Sequence, residues 1–192
     1  MRRSFCLRLA VPAFLALSLS ACDVFSPRSP EHPIEDVGTF VQPDTPDQVV
    51  DNIRTAVAEL NARNYRRSFA DDLTFTPTTD ASARDPSVWT GWSAQEEESY
   101  FLALAEAARL TADNELGLSD VEQTAGAARF TIDASYTLRV NHRRADLPTT
   151  LQGRLVWTID QGEDGLWRVT SWTDRTVGDA ASWSDLKAAF IK

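Results

Sequence analysis

Ala128-Arg129-Phe130-Thr131-Ile132-Asp133-Ala134-Ser135-Tyr136-Thr137-Leu138-Arg139-Val140 decides the fold. Phe130, Ile132, Ala134, Tyr136, Leu138 and Val140 alternate with Arg129, Thr131, Asp133, Ser135, Thr137 and Arg139. Successive side chains of a strand point to opposite faces, so this stretch is an antiparallel strand with one dry and one wet side. Leu151, Gly153, Leu155, Trp157 and Ile159 repeat the pattern, and Gly162-Glu163-Asp164-Gly165 turns the chain into a last strand begun by Trp167 and Val169. Trp172 falls out of phase with those two, which places a bulge near Ser171. Leu116 to Gln123 is a further strand, its alternation broken near Asp120.

One-sided strands need a cover, and the residues before them supply it. Thr45-Pro46-Asp47-Gln48 is a helix start with a capping box, and Val49, Val50, Ile53, Val57 and Leu60 form one apolar stripe. Asn64 is the expected left-handed stop. A short helix over Tyr65 to Ala70 and a strand through Leu73-Thr74-Phe75 follow, ended by Pro77. Pro77 to Trp92 reads as a long connection, polar except for Val88, Trp89 and Trp92. Ser93-Ala94-Gln95-Glu96 opens another helix, in which Phe101, Leu104 and Ala108 share a face with Glu97. Glu96, Glu97 and Glu98 lie in its first turn, where acidic groups offset the helix dipole, and this reading is preferred to an acid–base or metal cluster. Ser182 or Ser184 caps a C-terminal helix with Leu186 and Phe190 one turn apart, and Trp183 pins that tail.

The N-terminus has a different character. Arg2, Arg3 and Arg8 precede an apolar run from Leu9 to Ala21, 13 residues long and too short to cross a bilayer, which takes about 20. Leu19-Ser20-Ala21-Cys22 resembles the lipobox of bacterial lipoproteins at all four positions. That resemblance implies a signal peptide over 1–21, lipidation of Cys22, and a membrane-anchored lipoprotein of the bacterial cell envelope facing the periplasm. Asp23 after the cysteine resembles the inner-membrane retention signal of enteric bacteria, which leaves inner or outer membrane open. Residues 22–45 carry Pro27, Pro30, Pro33 and Pro43 and read as a tether, with Phe40 and Val41 as the first point of contact with the domain at 46–192. Such a linker spans about 25 Å on average and ~70 Å when stiffened by proline.

Composition excludes several chemistries. Cys6 leaves with the signal and Cys22 takes the lipid, so no thiol remains for a disulfide, a metal or a nucleophile. Losing three arginines and no acids leaves 16 cations against 28 acids, a net charge of −12, which repels nucleic acid. No cofactor and no metal site is expected, since metal-ligand spacing and a phosphate-cradling glycine loop are both missing.

The order of elements is α+β. It resembles the nuclear transport factor 2-like, or SnoaL-like, superfamily: a curved antiparallel sheet wrapped around N-terminal helices as an open cone, here with a C-terminal helical tail. The residues carrying the resemblance are the first helix with Tyr65 and Phe69, Leu73-Thr74-Phe75, and Gly165-Leu166-Trp167-Arg168-Val169 through Trp172 and Asp174. The resemblance implies a pocket at the wide end of the cone, used by some members for catalysis and by others for binding or assembly.

Within such a cone Asp174 and Tyr136 are the weak catalytic candidates. Tyrosine alone is a poor base at neutral pH, and Asp174 serves only if the bulge turns it inward; a salt bridge with Arg175 is the preferred reading. The histidines, His32 in the tether and His142 beside Arg143 and Arg144, are not placed to face a pocket. The basic cluster around His142 reads as a solvated hairpin tip. For a ligand, the expected lining is Trp89, Trp92, Tyr100, Tyr136, Trp157 and Trp172. Trp89 and Trp92 either clamp an apolar ligand at the mouth or cover the sheet's open end, and covering is preferred. The leading expectation is a non-catalytic, lipid-anchored protein binding a small apolar molecule or a partner protein. An isomerase or dehydratase using Asp174 and Tyr136 is the runner-up, and a self-associating structural subunit the third. The outer sheet face carries Arg129, Asp133, Arg139, Gln152 and Arg154, so a monomer or weak polar dimer is expected rather than an obligate one.

Overall fold

The computed structural model describes residues 38–108 and 113–191; the signal, Cys22 and most of the tether lie outside them. Helix α1 (Pro46–Glu59) starts as its sequence dictates, with Thr45 and Gln48 in a reciprocal capping box and Pro46 in the first turn. Its stripe of Val49, Val50, Ile53, Ala56 and Val57 is buried. The stop falls earlier than expected: Leu60, not Asn64, takes the left-handed conformation at φ 52°. Asn61 then caps α2 (Ala62–Arg67), which leaves Asn64 inside that short helix.

Strand β1 (Phe69–Thr76) leads into α3 (Thr79–Arg84), a turn-and-a-half helix in what the sequence presents as irregular connection. Thr78 caps it, a signal hidden among the small polar residues around it. Helix α4 (Ala94–Ala107) carries the expected capping box, and the chain then forms β2 (Glu115–Ala125), β3 (Arg129–Arg139), β4 (Thr150–Gln161), β5 (Trp167–Arg175) and α5 (Trp183–Ile191).

The five strands form one sheet in the order β1-β5-β4-β3-β2. All neighbours are antiparallel except β1, which lies parallel to β5 at the edge. β3 and β4 pair without interruption from Arg129↔Asp160 to Arg139↔Thr150. Ile132, Ala134, Tyr136, Leu138, Leu151, Leu155, Trp157 and Ile159 all face the helices and are buried, each large side chain contributing about 1.5–3 kcal/mol. Two irregularities fall near their expected places. Asp120 takes φ 49° where β2 slips against β3, and Thr170 bulges out between Ile159↔Val169 and Thr158↔Ser171. That bulge brings Trp172 and Asp174 back to the inner face, where both are buried.

The chain engages the domain slightly ahead of α1. The backbone of Val41 exchanges hydrogen bonds with the Asn52 side chain at 2.9 and 2.6 Å, Phe40 lies under the Arg67 guanidinium, and the Trp167 amide donates to the Pro43 carbonyl. On the outer face, Arg129 pairs with Asp160, Arg154 with Asp133, and Arg139 with Glu115, so that face is charged and internally matched.

Candidate functional site

The inner end of the cone is where α4, β1, β5 and α5 converge. On α4, Glu96 and Glu97 part company because adjacent helical residues point about 100° apart. Glu96 stays at the helix start, where the Ser93 hydroxyl and amide donate to it and hold its carboxyl below the ordinary range. Glu97 points inward and is fully buried. Its Oε1 accepts from the Tyr65 hydroxyl at 2.7 Å, and its Oε2 accepts from Trp92 Nε1 at 2.8 Å and from Lys187 Nζ at 2.7 Å. The dipole-offsetting role expected for all three glutamates therefore fails for Glu97, which is the anionic centre of a buried cluster.

Lys187 reaches that centre from α5 and is also 0% exposed. Its ammonium lies 3.3 Å from the centre of the Trp172 ring and 3.6 Å from that of Phe75. Trp92, Tyr100 and Trp183 stand further out, at 5.7 to 6.0 Å. Burial lowers its pKa to about 8, against the opposing pull of the Glu97 and Asp174 charges, so the group is still mainly protonated at neutral pH. The chain contains only two lysines, Lys187 and Lys192, and one of them is spent here.

A second cluster holds the start of the same helix. Asp174 Oδ2 accepts from the Ser184 amide at 2.7 Å and from the Ser184 hydroxyl at 2.6 Å. Its Oδ1 accepts from the Tyr136 hydroxyl at 2.9 Å, and Tyr136 in turn accepts from the Trp183 amide at 2.6 Å. Trp183 Nε1 donates to the Tyr100 hydroxyl at 2.9 Å. Burial raises the Asp174 pKa, opposed by these hydrogen bonds, and burial together with the Asp174 charge pushes Tyr136 up. The two weak catalytic candidates are thus brought together by the fold, but both oxygens of Asp174 and the tyrosine hydroxyl are engaged in seating α5. The expected salt bridge to Arg175 is not formed: Arg175 turns to Asp133 on the outer face at 3.7 Å.

The other expected residues are also accounted for. Trp92, Tyr100, Tyr136, Trp157 and Trp172 converge, but as a packed interior in which each is at most 5% exposed. Trp157 and Trp183 each meet Trp172 edge to face. Trp89 is partly buried, tilts against Phe75 and Trp92, and donates its indole N–H to the Ala81 carbonyl at 3.1 Å. Both rings of the pair pack on Phe75 of β1. The indole N–H groups of Trp157 and Trp172 are buried without a hydrogen-bond partner.

The His142 cluster is not a solvated tip. His142 is buried, with Nε2 3.2 Å from the Pro148 carbonyl and its ring edge-on to Phe190. Arg143 donates to the Glu106 and Ala107 carbonyls, and Arg144 to that of Ala189. Both arginines satisfy carbonyls that helix C-termini leave unpaired.

Two open cavities lie elsewhere on the surface. One, of about 460 Å³, runs between Phe40, Pro43, Arg66, Arg67, Asp71 and Arg168, with Arg66 paired to Asp71, Arg168 to Asp164, and Arg67 laid over the Phe40 ring. The other, of about 580 Å³, is bordered by Asp80, Arg84, Leu147, Asp179 and Asp185. Neither is lined by any of the six residues expected to hold a ligand. Among the described residues no group of three or more His, Cys, Asp or Glu side chains could hold a metal ion.

Solved structures share this fold. A candidate aromatic ring hydroxylase from Novosphingobium aromaticivorans matches with a TM-score of 0.53 at 13% identity, over 73% of this chain and 92% of its own. A candidate scytalone dehydratase from the same organism matches at 0.54 with 9% identity, over 69% and 81%. An NTF2-like protein of unknown function in nutrient uptake from Rhodospirillum rubrum matches at 0.51 with 16% identity, over 68% and 96%. No protein-family model and no curated protein sequence matches the chain. At these identities the likeness is one of fold: the domain has the α+β cone fold that these structures share.

Proposed function

We propose that this chain is a lipid-anchored, non-catalytic binding protein of the bacterial cell envelope, tethered through Cys22, whose cone is closed at rest by its own tail and which engages a partner protein. The observation that carries the reading is the use of the cone's polar groups. Asp174 and Tyr136 hold the start of helix α5 through Ser184 and Trp183, and Glu97 holds Lys187 of the same helix while also accepting from Tyr65 and Trp92. A general base needs a free lone pair within reach of substrate, and these carboxylates are surrounded by protein donors.

The isomerase or dehydratase reading has one observation in its favour: an inward-facing carboxylate with a raised pKa, hydrogen-bonded to a tyrosine. The candidate dehydratase among the fold neighbours lends it the scaffold. Withdrawal of α5 would be required before a substrate could reach that pair.

Two measurements test the proposal. Fractionation of cells expressing the full chain should find it with membranes, and Cys22→Ala should move it to the soluble fraction. Native mass spectrometry of the detergent-extracted protein should give the mass of the acylated polypeptide alone. A stoichiometric apolar molecule retained at that step would overturn the closed cone.

A further inference from the structure

The inner end of the cone is furnished for a positive charge. Phe75 comes from β1, Trp172 from β5 and Glu97 from α4, with Tyr65 of α2 and Trp92 steadying the carboxylate. From α5 come the ammonium and, 6.0 Å from it, the Trp183 ring. Aromatic faces attract cations through the ring quadrupole, most strongly where water is excluded. A buried carboxylate adds a charge that needs matching. The two rings and the carboxylate in direct contact with the nitrogen all come from outside the tail, and they form a receptor for an ammonium ion.

We propose that this aromatic box is a binding site for a primary organic ammonium ion, with Lys187 as its resident intramolecular occupant and a free alkylammonium as its competitor. The site goes beyond the partner-binding reading and does not depend on it. Its geometry selects the degree of substitution. With the nitrogen 3.3 and 3.6 Å from two ring centres and 2.7 Å from Glu97 Oε2, N-methyl groups would collide with both rings and the oxygen. The site therefore takes R–NH3+ and rejects quaternary ammonium. Entry of a free ligand requires the tail to move aside, and its link to β5, residues 176–182, is irregular, with Gly178 at φ 58° and an exposed Val177.

The direct test is chemical rescue. Lys187→Ala removes three methylene groups and the ammonium, a void of the size and charge of propylammonium. Melting temperature is followed at constant ionic strength with propylammonium, tetramethylammonium or propanol. Propylammonium should raise it by about 3–6 °C at ten times its Kd, while the other two leave it unchanged. Where the variant is unfolded alone, recovery of the native near-ultraviolet spectrum by propylammonium is the same readout. Equal effects of propanol and propylammonium, or none from either, overturn the proposal. In Glu97→Gln/Lys187→Ala the preference for the cation should vanish, and its persistence would place the ligand elsewhere. In the wild-type chain, propylammonium at a concentration saturating the variant should speed hydrogen exchange across residues 183–191 severalfold; unchanged exchange there means the box does not open to ligand.

Discussion

Removing either charge of the Glu97–Lys187 pair alone should cost at least as much as removing both. Lys187→Met leaves a fully buried carboxylate with two donors, the Tyr65 hydroxyl and Trp92 Nε1, in place of three. Breaking one partner of a buried ion pair typically costs 3–5 kcal/mol, and the two surviving donors put this case at about 3. Glu97→Gln leaves the ammonium with its two ring faces and a neutral oxygen, a loss of about 2–3 kcal/mol. The double variant Glu97→Gln/Lys187→Met buries no net charge, and replacement of buried pairs by neutral groups is often close to neutral, so a loss of about 2 kcal/mol is expected. The cycle then gives a coupling of about 3–4 kcal/mol. Urea unfolding followed by tryptophan fluorescence measures it, with a constant slope across the four proteins showing that the same surface is exposed each time. Losses that add to within about 0.5 kcal/mol would refute the reasoning, because independent sites behave that way.

Asp174→Asn should loosen the tail without unfolding the sheet. Asparagine offers one accepting oxygen in place of two, so either the Ser184 donors or the Tyr136 hydroxyl face an NH2 that cannot accept; about 2 kcal/mol is lost and exchange quickens at 182–191 while β3 and β4 stay protected. Gly153→Ala should destabilise by about 1–3 kcal/mol in thermal melts, since a Cβ there would lie 2.5 Å from the Tyr136 hydroxyl and 2.7 Å from the Arg175 carbonyl. The Lys187 pKa of about 8 lies below the ordinary 10.5, so between those values the unfolded chain holds more protons than the folded one. Stability relative to Lys187→Met should therefore rise between pH 8 and 10, by on the order of 2–3 kcal/mol in urea titrations. The window closes at the ordinary lysine value of 10.5, and the buried Tyr65 and Tyr100 hydroxyls, both pushed up by burial, are common to the two proteins and drop out of the comparison.

Local sequence made the sheet legible because a strand's dry face is written at every second residue. From Ile132 to Val140 and from Leu151 to Ile159 the pattern survives intact in the burial of the folded chain, while Phe130 at the head of its strand is only partly buried. Even the bulge at Thr170 shows, through the misphased Trp172. The cluster at the cone's inner end was not legible, since its members lie 90 residues apart and each has an ordinary local explanation. Glu97 passes for a first-turn dipole partner. A faint signal exists: Glu97 shares its face with Phe101 and Leu104, and Lys187 sits between Trp183 and Phe190 on a stripe otherwise apolar. Two charges of opposite sign, each alone on a dry face, imply one another. The left-handed Leu60 escaped for a different reason, as Asn61 is needed to cap α2 and the turn must therefore fall one residue earlier.

Everything proposed for this domain turns on where one side-chain nitrogen sits. With only two lysines in the chain, 15N-lysine labelling gives two ammonium resonances, assignable by a Lys192→Arg control. The account expects the Lys187 ammonium to exchange slowly with water and its ε-methylene protons to be shifted upfield by the faces of Trp172 and Phe75. Two lysines with the same rapid exchange and unshifted methylene protons would contradict it.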